Sequence, residues 1–161
     1  EREDLCGHVL ANETRFKSLV ECLLDIPIVG DVRGAGYFLA IELVPDKATR
    51  ATFTDEQAEW LLRGVLSPKL FDAGLICRAD DRGEPVITLS PPLIAGEEEF
   101  DFIARTLDEY GEHYVYPDAE GDLSPDGFPD HGNTIDAGRP RGEEACRAAI
   151  DDSEGQSSGV A

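Results

Sequence analysis

The stretch GLICRADDRGEPVITLSPPLI, residues 74–94, decides the fold. It holds two short apolar or β-branched runs, residues 75–77 and 86–89, separated by Asp80-Asp81-Arg82-Gly83. Aspartate bonds its own backbone and glycine accepts positive φ, so the charged insert is turn material and the stretch reads as a β-hairpin. Pro91 and Pro92 remove two ladder donors and fix φ, so the second strand must end before them. On this reading the first strand ends at Arg78 and delivers one guanidinium to the edge of a small sheet.

Working outward, residues from about 3 to 24 read as an amphipathic helix, because Leu5, Val9, Phe16, Leu19, Val20, Leu23 and Leu24 recur at three-and-four spacing. Pro27 stops it. Residues 29–33 and 37–44 are strand-like runs joined by Gly34-Ala35-Gly36, where two glycines permit a bulge or a close backbone approach. Thr54-Asp55-Glu56-Gln57 has the form of a capping box and opens a second helix over Ala58, Leu61, Leu62, Val65 and Leu66. Ser67-Pro68 restarts it as a short turn that Gly74 closes. Glu97, Glu98 and Glu99 favour the positive end of a last helix, whose face is Phe100, Ile103, Leu107, Tyr110 and Tyr114. The order helix, two strands, helix, two strands, helix predicts an α+β domain, a small antiparallel sheet with helices on one face.

After about Pro117 the pattern stops. Residues 117–161 are acidic and rich in Gly and Pro, with few large apolar side chains, so they lack the surface to offset their ordering entropy. The expected division is a folded domain over 1–116 and an acidic disordered tail over 117–161, with at most a short helix at 143–150.

The formal net charge of −20, from 34 acidic and 14 basic residues, repels nucleic acid and anionic lipid and argues against both as partners. The acidic, lysine-poor balance suits either a salt-rich cytoplasm or an arginine preference set by codon usage. Cys6, Cys22, Cys77 and Cys146 are widely spaced, and with His8, His113 and His131 they form no zinc-ligand pattern, so they read as reduced, mostly buried thiols of a cytoplasmic protein, with no metal. The chain has no methionine and begins at Glu1, which reads as a fragment or a processed piece.

Three segments carry a resemblance. IVGDVRGAGYFLAIELV (28–44), LSPKLFDAGLICRADDRG (66–83) and ITLSPPLIAGEEEFDFI (87–103) resemble, in unbroken order, the C-terminal small domain of class III aminotransferases, fold-type I pyridoxal-phosphate enzymes that include the ω-amino acid:pyruvate transaminases. The resemblance covers roughly residues 1–115 and implies several things. Arg78 matches the mobile arginine that pairs with a substrate carboxylate, a task suited to a planar guanidinium fork. The competing reading pairs Arg78 with Asp80, Asp81 or Glu84 in its own loop. Arg33, in DVRG, reads as a packed strand-end arginine.

The family's Schiff-base lysine, the acid for the pyridine nitrogen and the phosphate donors lie in a large domain upstream, and Lys17, Lys47 and Lys69 do not have that context. The resemblance therefore implies no catalytic and no cofactor-binding residue in this chain, pyridoxal phosphate only in the complete enzyme, an amino donor and a keto acid as small-molecule partners, the parent's large catalytic domain as a further partner, and a homodimer for the parent. A different class of function also fits, a non-catalytic α+β interaction module with an acidic binding tail. Limited proteolysis checks the division: it should leave a resistant core ending near residue 116, and protection of 117–161 equal to that of the last helix would refute it.

Overall fold

The computed structural model describes residues 4–80 and 85–111. The tail over 117–161, the 143–150 helix, Tyr114 and the turn residues Asp81, Arg82, Gly83 and Glu84 lie outside them.

Helix α1 spans Leu5–Glu21, its first turn capped by Asp4, whose carboxylate accepts from the Gly7 amide at 2.9 Å. It tightens into a 3₁₀ turn, Cys22–Asp25, before Pro27. Strand β1, Val29–Ala35, and strand β2, Phe38–Leu43, form an antiparallel hairpin. Gly36, at φ 58°, takes the first place of its two-residue loop, where hairpin turns that follow the strand twist need a positive φ. Of the two outcomes the glycines permit, Gly34 shows the close approach, since a Cβ there would strike the Phe38 carbonyl oxygen, while the bulge sits earlier, between Val29 and Asp31. Opposing two residues of β1 to one step of β2 resets the alternation, which is how Val29 and Val32 both reach the core.

Helix α2, Asp55–Glu59, begins with the expected capping box: the Gln57 amide donates to Thr54 Oγ1 at 3.3 Å and the Thr54 amide to Gln57 Oε1 at 2.9 Å. The chain then widens into a π-helical turn, Trp60–Leu66, and continues without a break as α3, Ser67–Asp72. Pro68 explains the widening. It has no amide to give, and its ring would strike the carbonyl four residues back, at Gly64, so the turn opens and the Ser67 amide bonds five residues back to Leu62. The expected restart at Ser67-Pro68 is thus one continuous, locally widened helix.

Strand β3 is Arg78–Asp80 and strand β4 is Val86–Leu89. The hairpin of 74–94 exists, but its first strand begins at Arg78 instead of ending there. Continued pairing would set residues 75 and 76 against Pro91 and Ser90, where β4 has already stopped. The sheet order is β1-β2-β4-β3, all antiparallel, with β2 and β4 joining the hairpins and β3 at the edge. Helix α4, Glu97–Gly111, closes the chain with Phe100, Ile103 and Leu107 inward. Glu99 reaches back from its first turn to accept from the Gly96 amide at 2.8 Å, and that bond holds its carboxyl below the usual range.

One face of the sheet, Val32, Leu39, Ile41, Leu43, Ile87 and Leu89, is buried under the helices with Phe16, Leu62 and Leu66. The α+β reading, with helices on one face, is the observed architecture. An aromatic group pins α1, the first hairpin and α4 together: Phe16 stacks on Phe100 at 4.7 Å, and Tyr37 meets Phe100 edge-on at 5.1 Å. Beside it, Arg15 of α1 pairs with Asp101 of α4 at 3.0 Å, the two side chains 25% and 16% exposed. Arg15 Nε is buried without a partner, so the guanidinium depends on Asp101. Asp101→Ala should therefore cost about 1–3 kcal/mol in urea unfolding, against a few tenths for Asp101→Asn, which keeps an acceptor; equal small losses for both would show the pair to be dispensable.

Candidate functional site

Among the described residues no helix covers the second face of the sheet. Half-exposed antiparallel sheets ordinarily present polar side chains to water. Here Phe38 of β2 is 63% exposed, an apolar ring where a polar side chain is usual.

The register places the sequence-nominated residues on that face. Arg33 pairs with Ala40, Ala40 with Thr88, and Thr88 with Arg78. Residues directly opposite in antiparallel strands point the same way, so these four form one row across the sheet with an arginine at each end. Three strand spacings separate the two arginines, about 14 Å. The next row is Asp31, Glu42, Val86 and Asp80.

The two arginines are not equivalent. The Arg33 guanidinium donates to Asp31 at 3.0 Å and to Glu42, and these bonds raise its pKa above the ordinary value and draw it toward the acidic row. The expected packing is not what holds Arg33: its side chain is 52% exposed, and the two carboxylates hold it by charge. Arg78 is exposed at the start of β3, and among the described residues β4 is its only neighbouring strand. Of its competing loop partners, Asp81 and Glu84 fall outside the described residues. Sequence reasoning found Arg78 and Arg33 but missed that Ala40 and Thr88 lie between them, because the β2–β4 pairing is long-range and leaves no local signal.

The described residues do not fit pyridoxal phosphate. Lys17 lines a polar hollow between α1 and the first hairpin, where its ammonium lies 3.6 Å from Glu21. Lys47 donates to the Leu24 carbonyl. Lys69, on α3, is held below its ordinary pKa by burial, yet it lines neither that hollow nor the one inside the core, which is walled by aliphatic side chains such as Leu23, Ile41 and Leu70. Among the described residues no group of three or more His, Cys, Asp or Glu is placed to hold a metal, and no helix is long and apolar enough to cross a membrane. Cys6, Cys22 and Cys77 are free, and burial pushes the Cys77 thiol up.

A two-layer domain with this order of elements is what the resemblance to the small domain of a fold-type I transferase implies. Comparison with known proteins narrows this. No protein-family model matches the chain. It is 54% identical over 107 residues, 66% of its length and 23% of the other's, to "Probable aminotransferase Rv3329" of Mycobacterium tuberculosis. It is 42% identical over 79 residues, 49% of its length and 16% of the other's, to putrescine–pyruvate aminotransferase of Pseudomonas aeruginosa. The crystal structure of the ω-transaminase from Pseudomonas jessenii in complex with PMP superposes with a TM-score of 0.59 at 27% identity, over 71% of this chain and 24% of that one. The chain thus matches the C-terminal part of class III aminotransferases, with ω-transaminases among the structures it resembles, and it spans about a quarter of the length of the curated relative it resembles at 54% identity.

The lysine environments make one expectation direct. Mixed with pyridoxal phosphate, the 161-residue chain should give no borohydride-trappable adduct confined to one lysine. A stoichiometric adduct at Lys69 alone would show that a cofactor lysine had been overlooked.

Proposed function

We propose that this chain is the C-terminal part of a pyridoxal-phosphate-dependent class III aminotransferase, one that moves an amino group from an amine or amino acid to a keto acid. The chain walls one side of the substrate site and offers Arg78 to the substrate carboxylate. The cofactor, its lysine and the electron-sink chemistry it supplies belong to a large catalytic domain outside this chain, in an enzyme that acts as a cytoplasmic homodimer. The folded unit is 1–116, with 117–161 as an appended acidic segment. The name of the Pseudomonas aeruginosa relative pairs a diamine with pyruvate, and we extend that pairing of a carboxylate-free amine with a keto acid to this protein.

The observation that supports this reading best is the position of Arg78, an exposed guanidinium on the one sheet face that the domain leaves open, within a chain whose relatives are aminotransferases. A guanidinium there can grip a carboxylate through two parallel bonds. In the enzyme assembled from this chain and its catalytic portion, whether one polypeptide or two, Arg78→Ala should lower kcat/KM for the keto acid by roughly ten- to a hundredfold and leave a carboxylate-free amine within about twofold. Arg78→Lys should recover only part, because the ammonium keeps the charge and loses the fork. Equal losses on both substrates would make Arg78 a structural residue.

A further inference from the structure

We propose that Thr88 is a specificity-determining contact that shares the substrate carboxylate with Arg78; the inference rests on the reading of Arg78 given above. Thr88 is the direct cross-strand partner of Arg78, on the same open face, and is half-buried. Directly opposed residues hold their Cβ atoms about 5 Å apart, so a hydroxyl at 88 and a guanidinium reaching over from 78 converge on one small anion. A carboxylate offers about four lone-pair sites, and a bidentate arginine fills two of them. In a site closed from water the others need a donor, and a threonine O–H is one. Among the described residues no hydrogen bond engages the Thr88 hydroxyl, so it has no competing partner to give up.

The surroundings suit that role. On the far side of Thr88 the row continues with Ala40, a single methyl group, and Asp31 and Glu42 draw the Arg33 guanidinium toward the neighbouring row. Between the two arginines the floor of the sheet is therefore low for two strand widths, about 10 Å. A carboxylate held at its Arg78 end leaves room beside it for the rest of a short keto acid. A larger side chain at 88 would fill that space, so the residue sets both the second bond and the clearance.

The test uses the enzyme assembled from this chain and its catalytic portion, with pyruvate as acceptor and a carboxylate-free amine as donor. Thr88→Val keeps the β-branch on a face outside the core and exchanges the hydroxyl for a methyl group. It should raise KM for pyruvate by about tenfold with kcat within about twofold, and leave the amine half-reaction unchanged. Thr88→Ser restores a hydroxyl and should bring KM most of the way back, a recovery that a packing role would not produce. An unchanged KM in Thr88→Val, equal losses with both substrates, or a serine variant as impaired as the valine one would each overturn the assignment. If Arg78→Ala abolishes carboxylate selectivity while Thr88→Val does not, only the Thr88 assignment falls. If Arg78→Ala also has no selective effect, the reading of Arg78 falls and takes this assignment with it.

Discussion

Strand β2 is the constraint on which the rest of the structure depends. It is hydrogen-bonded on both sides, to β1 and to β4, and its residues alternate strictly. Leu39, Ile41 and Leu43 face the helices, while Phe38, Ala40 and Glu42 face away. A one-residue slip would exchange the two sets, burying Glu42 and exposing three aliphatic side chains, so the register is fixed by the burial on one face. The other face inherits that register. The row of Arg33, Ala40, Thr88 and Arg78 is placed by a core it does not touch.

The same division of labour runs through the helix layer. The Ala95 carbonyl, just past the hairpin of 74–94, accepts from His8 Nε2 at 2.8 Å and from the Tyr37 hydroxyl at 3.2 Å. One acceptor thereby ties the segment leading into α4 to α1 and to the first hairpin. Tyr37 is buried, which pushes its phenol pKa up and keeps it a donor at any ordinary pH. With Phe16 and Phe100 stacked beside it, the junction is apolar in body and polar at one point, an arrangement that fixes orientation as well as stability. The face that carries Arg78 thus rests on a layer locked at a place remote from it.

Much of this fold was legible in the sequence where the signals are local. The Thr54–Gln57 capping box, the Pro27 stop, the Phe100, Ile103, Leu107 period and the positions of β1, β2 and β4 all follow from neighbours within four residues of one another, whereas β3 lies three residues later than the apolar run 75–77 suggests. Pro68 was legible as a disturbance but not as its outcome. A proline inside an apolar helical run can end the helix or widen it, and which occurs depends on whether the flanking turns are held by packing, as Leu61, Leu62, Leu66 and Leu70 hold them here. Of the candidate site, Arg78 stood out because a resemblance marked it and its charge was out of place beside an apolar run. Thr88 did not, because its meaning lies in a pairing between strands, and a threonine in a strand is otherwise unremarkable.

The edge position of Arg78 completes the physical case for the open face. An arginine in place of Ala40 would have a strand on either side, and its long side chain would be confined by both neighbours. At the start of β3 it has, among the described residues, a strand on one side only, β4. Edge strands are usually blunted by short length and by charge, and β3, three residues long with an arginine first and an aspartate last, satisfies both conditions. The features that protect the edge from pairing with another strand also set a cation beside a floor of small residues. On the role proposed for Arg78, a carboxylate would enter over Ala40 and Thr88, where the sheet is lowest, beside the exposed ring of Phe38.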